Sequence, residues 1–235
     1  MSDFFRFPRT PHLIWLGTGQ PRSDKVLTLE EREAMLRHEL IIEEKVDGAN
    51  LGFSLSLDGD LRAQNRGQYL ISPYSGQFTR LSNWLAAHEE RLFDALGEDL
   101  IAFGEWCAAR HSLHYTALPD WWLLFDVYDK QSGRFFSTKR RNAWAEKAGV
   151  SVVHQIAKGH FTLEVLKTIL DTPSHYREGS LEGLVLRQEE GEWLRKRAKL
   201  VRPEFTQSID EHWSRRSLQW NRRVFLSPAK QRIAV

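Results

Sequence analysis

Six short runs in this chain have the make-up of β-strands, and they are not spaced as the strands of a regularly alternating fold would be. They cover residues 40–44, 51–57, 100–105, 121–128, 183–187 and 193–201; several are β-branched or aromatic and are bounded by Gly, Asp or Pro. Helical periodicity is clearest over 28–38, 78–96, 138–147 and 162–170. This irregular interleaving predicts an α+β fold with mainly antiparallel sheets flanked by helices, and argues against a doubly wound parallel sheet. Thr28, with Glu31 three residues later, makes a capping box for the first helix. Thr162 has Val165 at that place and lacks the acidic half of the pairing.

The 235 residues are enough to bury a core. No repeat, low-complexity tract or Gly/Ser/Pro-rich linker divides them, so we expect one domain over 1–205 followed by a short basic helical appendage over 206–235, which holds Trp213 and Trp220. Hydrophobic residues at 41% and charged residues at 27% fit a folded globular chain. The single cysteine, Cys107, supplies neither an internal disulfide nor a multi-cysteine zinc cage. No apolar run approaches the roughly 20 residues of a membrane span, and the N-terminus lacks a signal-peptide pattern, so a soluble cytoplasmic protein is expected. Net charge is only +2, which leaves any polyanion contact to local patches such as 139–141, 195–199 and 215–232.

Six constellations carry possible chemistry. Glu44-Lys45-Val46-Asp47-Gly48-Ala49-Asn50 lies between two strand-like runs. Asp-Gly there is a tight-hairpin signal. Alternatively, it is a lysine at a strand end beside an acid and a glycine that lets a ligand come close. Such a lysine is a nucleophile only if its pKa, about 10.4 when free, is lowered by cations or metal. Arg62 to Gly67 places Arg66 in a loop, and Phe103-Gly104-Glu105-Trp106 ends an apolar strand on a carboxylate, where a metal or ribose could bind. Trp121 to Tyr128 is an aromatic strand whose Phe125 either packs in the core or stacks on a base. Glu182 opens a strand that Arg187 closes. In 194–201, Arg197 and Lys199 share one strand face, a costly arrangement unless an anion such as a triphosphate meets them. Cys107, His111 and His114 are loosely spaced like metal ligands but lack a fourth, and His111 and His114 read as polar groups near a cleft wall.

In this order the six segments resemble the collinear motifs of the covalent nucleotidyltransferases, the superfamily of DNA ligases, RNA ligases and capping enzymes. Asn50 closing the first motif, and Gly-Glu-Trp followed by His111-Ser112, resemble the ligase-2-like branch of ATP-dependent RNA ligases. The resemblance implies a nucleotidyltransferase domain of the ligase adenylation type without a separate OB domain, ATP and Mg²⁺ (or Mn²⁺) as cofactors, and RNA ends as substrate. It implies that Lys45 takes AMP, that Asp47 and Asn50 lie near the reacting ends, and that Arg66 grips a phosphate. Glu105 would hold the ribose, Phe125 would stack on adenine and Glu182 would bind the metal. Glu44 would line the nucleotide site, and Arg197 and Lys199 would hold phosphates. The last motif departs from Lys-x-Lys, since Arg197 stands at its first cation; Lys196 is the alternative. A small DNA ligase, a capping-type guanylyltransferase and an inactive nucleic-acid-binding homologue are the competing readings. A monomer is expected, and the length leaves no room for a duplex-clasping domain, so a protein partner or accessory domain in trans has a place in the last step.

Overall fold

The computed structural model describes residues 4–18, 21, 24–207 and 218–224. Strands β1 (Leu40–Lys45), β8 (Gln155–Gly159), β9 (Gly183–Glu190) and β10 (Trp193–Val201) form one antiparallel sheet in the order β10-β9-β1-β8. The second sheet runs β3 (Leu61–Gln64), β2 (Ala49–Leu55), β4 (Leu100–Trp106), β5 (Trp122–Asp129), β6 (Arg134–Phe135). A two-residue strand, β7 (Ser151–Val152), pairs in parallel with β5. The α+β architecture with mainly antiparallel sheets is therefore as expected.

Each sheet turns an apolar face outward to helices and a mixed face inward to a shared cleft. On the first sheet, Leu40, Ile42, Leu184, Leu186, Ala198 and Leu200 pack with Met35 of helix α1 (Leu29–Leu36) and Leu166 and Leu170 of α4 (Leu163–Leu170). On the second, Leu51, Phe53, Trp106, Trp122 and Leu124 pack under α2 (Leu81–Leu96) and α3 (Thr138–Ala148). Period-2 alternation then sends Glu43, Lys45, Arg187, Arg197 and Lys199 toward the cleft from one side and Asn50 and Glu105 from the other. Burying the outward residues fixes this polarity, because a one-residue slip would drive charges into the helices.

Local chemistry sets most boundaries. Thr28 and Glu31 form the full capping box, and Thr162 caps α4 through its hydroxyl. Ser137 caps α3, which ends at Gly149 in the left-handed region at φ 65°. The helix expected over 78–96 begins only at Leu81; Gly76–Phe78 is a separate 3-10 turn ahead of it. The strand expected over 51–57 is shifted to Ala49–Leu55, because Ala49 pairs with Trp106 while Ser56 turns toward Asp60. Strands β3 and β8 escaped the sequence reading; β8 is a half-exposed edge with no apolar alternation. A short helix, α5 (Pro203–Gln207), reaches only the first two residues of the expected helical tail over 206–235, and within that tail 218–224 is extended and bridges to Ala109 and Leu118. The rest of that tail, Trp213 included, lies outside the described residues.

Candidate functional site

The segment from Lys45 to Asn50 is a crossover between sheets. Strand β1 pairs with β8 and β9, while β2 pairs with β3 and β4, so the hairpin reading fails. Gly48 is required by crowding: a Cβ there would lie 2.5 Å from the carbonyl oxygen of Trp106. The crossover leaves Lys45 at the end of β1, in the wall of a cleft cavity of about 230 Å³. Glu43, Glu44, Asn50, Arg66, Glu105, Phe125, Asp126, Arg187, Arg197 and Lys199 share that wall.

Three carboxylates, those of Glu182, Asp47 and Glu105, act on the lysine. Lys45 Nζ donates to Glu182 Oε1 at 2.6 Å, and the other Glu182 oxygen is buried without a partner. Glu105 accepts from the Gly48 amide at 3.0 Å, and Asp47 accepts from the Ser112 and Leu113 amides at 2.7 and 3.3 Å. Glu44 lies one residue along the strand, and its carboxylate turns away to accept from Ser174 Oγ and the His175 amide. Burial alone would lower the Lys45 pKa, but Glu182, Asp47 and Glu105 outweigh it and hold the ammonium above the ordinary lysine range. The protein's own groups around Lys45 therefore raise its pKa, and the lowering that a nucleophile needs falls to a cation or metal. Burial also raises Glu182, and it pushes Glu105 up to about 7 with help from Asp47 and Glu182 and against Lys45.

The opposite part of the wall is cationic and aromatic. Strand β5 carries a bulge between its pairings with Phe103 and Gly104, so that Leu124 and Val127 face the helices while Phe125 and Asp126, though consecutive, both line the cleft. The Phe125 carbonyl accepts from Arg141 and Arg187 at 2.9 and 3.2 Å. Arg187 is buried and also pairs with Asp126 at 2.8 Å, and Arg141 pairs with Glu43 at 2.6 Å. The two same-face cations of β10 meet protein anions here: Arg197 pairs with Asp126, and Lys199 with Asp24. Arg197 lies over the Phe7 ring and lines the cavity, whereas Lys196 is exposed and absent from its wall. Burial lowers the pKa of both Arg197 and Lys199. Arg66 is exposed at the rim, and both amide atoms of Asn50 are buried without a partner.

The same stretch of chain matches one family: a model of the RNA ligase family fits residues 38–201. The chain belongs to the RNA ligase family. Solved structures of a Naegleria gruberi RNA ligase share the fold. A mutant with AMP and Mn has a TM-score of 0.61 at 14% identity, over 90% of this chain and 60% of that one. The protein with PPi gives 0.59 at 18% identity, over 86% and 60%. A mutant with ATP and Mn gives 0.60 at 14%, over 92% and 60%. This chain spans 60% of the length of each of these neighbours. A search of curated proteins finds no match.

The site also brings in Asp24, Glu43, Asp126 and Arg141, to none of which the sequence reading gave a role, although Asp126 lies in the aromatic segment 121–128 and Arg141 in the basic patch 139–141. Strict alternation would put Asp126 on the face opposite Phe125, and only the bulge reverses that. Asp24 lies in a loop with no pattern to mark it. Of the histidines, His111 contacts the Gln77 side chain at 2.7 Å and His114 is exposed; buried Cys107 contacts the Glu105 carbonyl. Among the described residues, no group of three or more His, Cys, Asp or Glu side chains is placed to hold a metal alone, and no helix is long and apolar enough to cross a membrane.

Proposed function

We propose that this chain is an ATP-dependent RNA ligase of the ligase-2-like branch that stores AMP on Lys45. The observation that carries this reading is Lys45 Nζ bonded to Glu182 in the wall of a cavity that also presents Phe125, Arg197 and Lys199. The Naegleria proteins with ATP, AMP or PPi hold the reactants and product that such a step needs.

In the first step the neutral Lys45 amine attacks the α-phosphorus of ATP. A P–N bond forms, the P–O bond to pyrophosphate breaks, and the amine proton is lost. AMP then passes to an RNA 5′-phosphate, and a 3′-OH displaces it to close the phosphodiester. Phosphoryl-type transfer asks mainly for positioning and charge stabilisation. Phe125 stacks on adenine, Glu105 receives the ribose, and Arg66, Arg197 and Lys199 hold phosphates. Arg197 and Lys199 do so by exchanging Asp126 and Asp24 for the incoming anion. Glu44 builds the wall while its carboxylate stays with Ser174 and His175. Asp47, held by two amides, and Asn50, with an unsatisfied amide, face the reacting ends.

The unpartnered Glu182 oxygen fits a divalent cation such as Mg²⁺ or Mn²⁺, and Glu182 would help to hold it. When bound, the ion offsets the carboxylates that keep Lys45 protonated and stabilises charge on the phosphate. The single buried cysteine suits a reducing cytoplasm, and we assign the working form as a monomer with residues 206–235 as a basic appendage.

The test is mass spectrometry after incubation with ATP and Mg²⁺. Wild type gains one AMP, and Lys45→Ala gains none; a Lys45→Ala protein that labels like wild type ends the assignment. Labelling by GTP instead points to a guanylyltransferase.

A further inference from the structure

The residues Ala49, Trp106 and Trp122 lie side by side at one end of the second sheet, where the Lys45–Asn50 crossover enters it. At that same end, on the helix side, is a second recess of about 610 Å³ lined by Arg80, Trp84, His88, Trp121, Arg222 and Arg223, among others. One wall is the start of α2, and the other is the extended segment 218–224.

This recess is cationic, and two of its arginines, Arg80 and Arg223, are held in place. The Arg80 guanidinium lies 4.1 Å from the Trp220 ring and 5.3 Å from that of Trp121. Arg223 lies 4.9 Å from the Trp121 ring and donates to Asp120 at 2.8 Å. Asp120 is otherwise committed to Trp84 Nε1, the Trp121 amide and His88. Among the described residues Arg80 and Arg222 have no carboxylate partner, and Arg222 is exposed. A guanidinium held over an indole, as Arg80 is over Trp220, loses rotamer freedom in advance, so it meets a phosphate at low entropic cost. With the ring faces occupied by arginines, the recess is built to grip phosphates and leaves base edges unread.

The loop that holds Asp47 also touches the segment that leads into Arg80. Ser112 donates to Asp47; the neighbouring His111 contacts the Gln77 side chain, and Trp106 Nε1 donates to the Gln77 carbonyl at 2.8 Å. Gln77 lies three residues before Arg80.

We propose that the Arg80–Arg222–Arg223 recess binds successive phosphates of the polynucleotide strand whose end lies at Lys45. This rests on the ligase reading and adds a sequence-independent RNA track that runs over the end of the second sheet. The test pairs two measurements on wild type, Arg222→Glu and the double variant Arg80→Gln/Arg222→Gln: AMP labelling of Lys45 from ATP alone, which reports the fold and the first step, and binding of a labelled nicked RNA duplex across a salt series. Labelling should persist while RNA affinity falls about tenfold in the double variant, and its salt slope should drop by roughly 0.7–0.9 for each phosphate no longer gripped. If the variants label and bind RNA with wild-type affinity and slope, this proposal alone is overturned. If wild type takes no AMP, the ligase reading falls and this inference with it. Poly-glutamate of equal charge binding as tightly as RNA overturns the phosphate assignment.

Discussion

Lys45 is an ammonium held among carboxylates, its pKa raised by Glu182, Asp47 and Glu105 against burial. If it is the nucleophile proposed above, that surrounding negative charge must be offset before it can attack. Phe125 is the second decisive side chain, because the bulge delivers its half-buried ring to the cavity. Phe125→Leu should weaken nucleotide capture less than Phe125→Ala, since leucine keeps apolar area and loses only the stacking face. ATP titration of the three proteins checks the order, and equal affinities would return Phe125 to the core. His12 offers a separate readout. Burial, reinforced by Lys199 and Lys45 against the opposing Asp24, lowers its pKa from the ordinary 6.5 to about 4. The unfolded chain therefore protonates His12 near 6.5 while the folded one resists until about 4, so this contribution is intact above 6.5 and is lost as pH falls toward 4. His12→Asn should lose less stability between pH 7 and pH 4.5 than wild type does, as read from urea midpoints.

Among the elements, the extended segment 218–224 matters beyond its length. Asn221 is buried; its side chain accepts from the Tyr115 amide at 2.9 Å and donates to the Cys107 and Ala109 carbonyls at 2.8 and 3.3 Å. Backbone bonds from Asn221, Arg222 and Val224 to Ala108, Tyr115 and Leu118 add it alongside 107–118. That loop in turn supplies the Ser112 and Leu113 amides to Asp47, and the Tyr115 hydroxyl accepts from the Asp47 amide. Asn221→Ala leaves three buried groups unsatisfied, and we expect a loss of about 1–3 kcal/mol for each group not rescued by water. Sealing should suffer more than AMP capture, because Asp47 is held through this loop. Urea denaturation and step-resolved kinetics test both parts; an unchanged midpoint would show the segment to be dispensable.

At the level of the whole molecule, two sheets share one cleft. On the proposed function the cavity would take the nucleotide, and the recess at the end of the second sheet would take the polynucleotide. We expect sealing to require ribose at the 3′-OH side of the break and to tolerate DNA at the 5′-phosphate side, because a 2′-OH donates and accepts a hydrogen bond and favours A-form geometry. Asn50, whose amide is unpaired, can do both in return, whereas an arginine there could only donate. Four nicked duplexes that differ only in ribose or deoxyribose beside the nick decide this. Equal sealing of the all-DNA nick would favour a DNA ligase.

Sequence alone determined what depends on near neighbours. The alternation in 183–201 put Arg197 and Lys199 on one face, Thr28 with Glu31 started a helix, and the spacing of short strands and helices set the fold class, since period and caps are local properties. What it left open depends on partners far along the chain. Whether Asp-Gly makes a hairpin or a crossover is decided by which strands β1 and β2 pair with. The bulge that turns Asp126 inward has no signature in 121–128, because the unmatched residue is defined by β4. The charge state of Lys45 is set by Glu182, 137 residues away, and electrostatic shifts follow distance through the fold rather than distance along the chain.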